Sequence, residues 1–68
     1  MDTFCKVRYT VQLVPETYQI IELNILCNDG IPNALVVGRE VIFEKYGYHE
    51  DLIVKQELLG IEDLYGRH

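Results

Sequence analysis

Residues 4–14 alternate between apolar and polar. Cys5, Val7, Tyr9, Val11 and Leu13 point one way; Lys6, Arg8, Thr10 and Gln12 point the other. Successive side chains on a strand face opposite sides, so the pattern predicts a half-buried strand with its apolar face on a core. Pro15-Glu16-Thr17 ends the run, because proline lacks a ladder donor and presets a turn. A second β-rich run covers residues 18–27. It stops at Asn28-Asp29-Gly30, a strong turn signal.

The two runs predict a hairpin, and burial limits its register. A two-residue loop pairing Val14 with Thr17 would set Glu22 and Asn24 beside Tyr9 and Val7 on the core face. A three-residue loop pairing Val14 with Tyr18 instead gathers Ile21, Leu23, Ile25 and Cys27 on that face. Glu22 and Asn24 then turn outward, near Arg8 and Thr10. A one-residue slip reverses every side chain, so burial selects the second register. It sets Cys5 opposite Cys27, at the ~4.5–5.5 Å Cα spacing of opposed residues. A disulfide fits that spacing. The expectation here is a pair of buried thiols acting as small apolar side chains.

Residues 31–46 follow a helical period. Ile31, Ala34, Leu35, Val37, Val41, Ile42 and Tyr46 share one half of the wheel, and Gly38 falls among them, where it permits close approach to a sheet. Pro32 suits a first turn, Asp29 or Asn33 can cap it, and Gly47 is a natural stop. Val36 and Phe43 fall on the opposite side with Arg39 and Glu40, which makes them a candidate contact patch. The last third predicts a strand over residues 52–58, with Leu52, Val54 and Leu58 on one side. A turn at Gly60 and one helical turn over 61–65 follow. The fold class is α+β, in the order β-β-α-β: a small, mostly antiparallel three-stranded sheet with one helix on one face. The pattern leaves open whether the third strand lies beside the first or the second.

With 68 residues, the chain is expected to be one domain. A core of this size rarely yields more than ~3–5 kcal/mol. Against that limit, a 49% apolar share is generous and implies that some apolar surface meets a partner. No apolar run approaches the ~20 residues of a membrane span. Met1-Asp2-Thr3-Phe4 lacks the basic start and apolar stretch of a secretory signal, so reduced thiols in the cytoplasm are expected. The net charge of −5 argues against direct binding to nucleic acid or anionic membranes. Its distribution is uneven: Glu50, Asp51, Glu57, Glu62 and Asp63 stand against Lys55 alone between residues 50 and 63.

Catalytic chemistry finds few parts. The chain has no serine, and Thr3, Thr10 and Thr17 lie beside no recognisable base. His49-Glu50-Asp51 are adjacent, so their side chains diverge and do not form a metal set. No zinc, P-loop or Cys-x-x-Cys spacing occurs. No cofactor and no enzymatic activity are expected. Tyr9 and Tyr46 read as buried. Tyr18, Tyr48 and Tyr65 have weaker claims to a core and stronger ones to an interface.

The leading expectation is a small non-enzymatic protein–protein interaction module that meets a protein partner or a second copy of itself. Its candidate contacts are Val36, Arg39, Phe43, Tyr48, Glu57, Glu62 and Asp63. In length, layout and charge the chain resembles small accessory proteins of phages and mobile elements, a resemblance that carries no site residues. One alternative is an acidic inhibitor or decoy of a nucleic-acid-binding protein. The other is a minor subunit of a larger assembly.

Overall fold

The alternating run becomes strand β1 (Thr3–Val14) in a computed structural model that describes residues 3–63. Strand β2 (Thr17–Leu26), helix α1 (Ile31–Tyr46), a 3₁₀ turn (Glu50–Leu52) and strand β3 (Ile53–Asp63) follow. The order is therefore β-β-α-β. The strands form one antiparallel sheet in the order β2-β1-β3, which places the third strand beside the first.

The hairpin keeps the expected faces but not the expected pairing. Tyr9 pairs with Ile21, Val7 with Leu23 and Cys5 with Ile25, two residues away from the register that would oppose Cys5 to Cys27. The connection is the shorter loop after all, with Val14 paired to Thr17 and Glu16 at a positive φ of 69°. A bulge at Leu13 then restores the parity. One extra residue on β1 returns Glu22 and Asn24 to the outer face. Leu13 leaves the core as a result and stands 36% exposed.

Strand β3 also departs from regular pairing. Its partners step past Val54 and past Leu59, giving two bulges against β1. The strand runs through Gly60 to Asp63, so the expected turn at Gly60 is absent. Residues 61–63 are strand rather than helix, and residues 64 and 65 lie outside the described set.

Helix α1 packs over β1 and β2. Its buried residues are Ala34, Gly38 and Ile42, which meet Cys5, Val7, Tyr9, Val11, Ile21, Ile25 and Cys27. Gly38 is required by proximity. A β-carbon there would lie 2.6 Å from Ile25 Cδ1 and 2.8 Å from Tyr9 Cζ, and closer still to the Tyr9 hydroxyl. That hydroxyl donates to the Leu35 carbonyl at 2.8 Å, which satisfies the one polar atom of a fully buried ring. The helix starts at Gly30 with no side-chain cap, so neither Asp29 nor Asn33 performs that role. It stops at Gly47 in the left-handed conformation, whose N–H donates to the Phe43 carbonyl at 2.8 Å. Tyr46, expected at the buried end, is 41% exposed and stacks on Tyr48.

Candidate interaction surface

An antiparallel sheet covered on one side ordinarily shows polar residues on the other. Strand β1 obeys beyond its first turn of the pleat: Lys6, Arg8, Thr10 and Gln12 occupy the open face, and only Phe4, beside Leu26, is apolar there. Its centre is an ion-paired row across all three strands. Arg8 Nε lies 3.1 Å from Glu22 Oε2 on β2, and Arg8 Nη1 lies 3.7 Å from Glu57 Oε1 on β3. Lys55 Nζ adds a contact of 3.5 Å to Glu57 Oε2. Strand β2 does not obey. On the open face it presents Tyr18, Ile20 and Leu26, each roughly half exposed, around Glu22 and Asn24.

A second apolar patch lies on the outside of the helix. Val36 and Phe43 are exposed there, as their position on the wheel predicts. The left-handed Gly47 turns the chain back, so residues 48–50 fold against the helix end. His49 meets Phe43 edge-on, with ring centroids 6.3 Å apart. Val36, Arg39, Glu40, Phe43, Glu44, His49 and Glu50 thus line one open depression. Arg39 braces it, with Nε 3.5 Å from Glu50 Oε1 and Nη1 donating to Gln56 Oε1 at 3.0 Å. The sequence pattern brings Val36, Arg39 and Phe43 together, but it gives no sign of His49 and Glu50. Only the reversal at Gly47 could have signalled them.

The remaining expected contacts scatter. Tyr48 is half buried, and its hydroxyl donates to Gln19 Oε1 at 2.8 Å, so it ties the segment after the helix to β2. Glu57 is occupied by Arg8 and Lys55 on the open face. Glu62 and Asp63 pair through β3 with Phe4 and Thr3, at the opposite end of the strand from the depression. The run His49-Glu50-Asp51 serves as a local cap. His49 Nδ1 accepts the Asp51 N–H at 3.3 Å, a role that needs its lone pair.

Cys5 and Cys27 are buried free thiols. The observed register makes them diagonal neighbours instead of opposed ones. Burial is the main cause that pushes the Cys5 thiol up to about 11. The neighbouring Cys27, through its thiol and the charge its thiolate would carry, adds to the rise. Burial also raises the Tyr9 phenol, and the nearby Arg39 guanidinium opposes that rise. Thiols held in the protonated form are poor nucleophiles.

No protein-family model, curated protein or solved structure matches the chain. No helix among the described residues is long and apolar enough to cross a membrane.

Proposed function

We propose that the chain is a small, non-enzymatic protein–protein interaction module. One observation carries the reading. On the open face, β2 presents Tyr18, Ile20 and Leu26 to solvent where a solvated sheet face would be polar. The Val36/Phe43 patch on the far side of the molecule supplies a second apolar contact surface. The decoy reading draws on the net charge of −5. It draws less on Glu57, which already neutralises basic residues of its own sheet.

The test compares the wild-type chain with Ile20→Asp and Phe43→Asp. Each is checked for an unchanged far-ultraviolet spectrum, then for self-association by sedimentation and for stoichiometric capture of another protein from source-cell lysate. A complex of either kind that one of the two substitutions abolishes is the expected result. A wild-type chain that stays monomeric at high micromolar concentration and captures no stoichiometric partner would overturn the reading.

A further inference from the structure

We infer that the free edge of β2 pairs with the same edge of a second copy, in antiparallel register about a two-fold axis at Leu23. The inference rests on the interaction reading above and names its occupant.

A three-stranded sheet has two edges, and here they differ. The β3 edge is broken by bulges at Val54 and Leu59 and carries Lys55, devices that discourage strand addition. Strand β2 has no proline, no lysine or arginine, and regular pairing from Tyr18 to Leu26. Helix α1 lies over the face of the hairpin, and no strand among the described residues pairs with the outer edge of β2. Ladder bonds fix which groups point outward. Cys27 N–H donates to the Thr3 carbonyl at 2.8 Å, so hydrogen-bonded pairs fall on the odd residues of β2. The N–H and C=O groups of Ile20, Glu22, Asn24 and Leu26 therefore face away from β1, and all four residues are exposed.

Those groups limit the register in which a second copy can pair. Outward-facing even residues can bond only to outward-facing residues of the second strand. Even residues thus pair with even ones, both sheets keep the same face, and both helices lie on one side. Three central axes satisfy this. An axis at Glu22 sets the two Glu22 carboxylates against each other, which is unfavourable. An axis at Ile21 sets Ile20 against Glu22 of the second copy. An axis at Leu23 sets Ile20 against Leu26, Glu22 against Asn24 and Ile21 against Ile25 of the second copy, so apolar meets apolar and no like charges oppose. The product is a six-stranded sheet in which Ile20 and Leu26, each roughly half exposed in the single chain, cover one another across the seam.

The experiment is sedimentation equilibrium of the full chain with three variants, each first checked by far-ultraviolet circular dichroism. The wild type is expected to be a dimer. Asn24→Pro removes one outward donor and no bond to β1, so it should leave a folded monomer. Ile20→Glu alone should weaken association, and adding Leu26→Lys should restore it, because each introduced carboxylate then faces one ammonium of the other copy, giving two such pairs in the dimer. Restoration of roughly 2- to 30-fold in the dissociation constant is the scale for two opposed-charge pairs. If Asn24→Pro fails to fold, the Ile20→Glu and Leu26→Lys pair decides alone. A wild-type monomer overturns the inference, while capture of a different protein, lost in Ile20→Asp, would keep the broader interaction reading. A dimer that survives both Asn24→Pro and Ile20→Glu overturns the edge assignment and leaves self-association standing.

Discussion

Replacing Gly38 by alanine should destabilise the fold, although alanine is the better helix former. Helix propensity alone predicts a gain of about 1 kcal/mol. Against it stands the missing space. The new methyl carbon would sit 2.6 Å from Ile25 Cδ1 and 2.8 Å from Tyr9 Cζ, where ordinary contact begins at 3.4 Å. Neither neighbour yields freely. Tyr9 is fully buried and tethered through its hydroxyl to Leu35, and Ile25 is 5% exposed. Overpacking of this kind costs ~1–3 kcal/mol. Moving the ring tip also breaks its hydrogen bond and strands a buried hydroxyl, a further ~1–3 kcal/mol. The net loss is about 1–5 kcal/mol, comparable with the ~3–5 kcal/mol expected of a core this size.

Urea unfolding followed by far-ultraviolet circular dichroism measures it. With a slope near 1 kcal/mol/M, the midpoint should fall by ~1–5 M, or the variant should be unfolded in water. Tyr9→Phe removes the closest clashing atom and should cost only ~1 kcal/mol by itself. The Gly38→Ala, Tyr9→Phe double variant should then be more stable than the sum of the single losses predicts, by ~1–2 kcal/mol. A Gly38→Ala chain as stable as the wild type, or strictly additive effects, would refute the claim that the Tyr9 hydroxyl occupies the space a side chain at 38 needs.

Alkaline pH should destabilise the chain over a defined window. The folded state holds the Cys5 proton up to about 11, whereas an unfolded thiol loses it near 9.0. Stability from this group is therefore full below pH 9 and lost as pH rises to about 11, with Tyr9 shifting the same way. Urea midpoints taken across that range should decline, and Cys5→Ala should flatten the decline. Tyr48→Phe should cost ~0.5–1.5 kcal/mol through loss of its bond to Gln19, and an unchanged urea midpoint would show that the bond does not hold the segment after the helix. Arg8→Ala should cost less than ~1 kcal/mol, because its ion pairs are largely solvent-facing, and the cost should shrink in a salt series. A large, salt-independent loss would mean that the row Glu22–Arg8–Glu57 organises the sheet.

Element order and faces were legible because burial writes them into the chain. Cys5, Val7, Tyr9 and Val11 alternate without interruption, and Ile21 and Ile25 can join them only with even spacing. The exact register was not legible. A three-residue loop and a two-residue loop with a bulge give the same faces, and nothing about Leu13 announces that it is the extra residue. The bulges at Val54 and Leu59 hid β3 for the same reason: each shifts the phase of alternation, so a continuous strand reads as a short one that fails at Gly60. Tyr46 misled because a wheel assumes that its whole apolar half is covered, whereas the last turn of α1 lies beyond the buried contact at Ile42. The patch at Val36 and Phe43 was visible as a violation of the period. Its lining by His49 and Glu50 depends on a chain reversal that no period encodes.

The central position of β1 has a consequence for synthesis. One of its neighbours, β2, emerges next, and a hairpin closes in ~1–10 μs. Its other neighbour, β3, ends at Asp63, more than thirty residues after Leu26. At ~5–20 residues per second, translation takes about 2–7 s to deliver it. Throughout that interval the middle strand of the finished sheet is an outer one, with its β3-facing groups unpaired on every nascent chain. Crowded polysomes should therefore be where this protein is most prone to mispair, and a chaperone acting on it would act before β3 emerges.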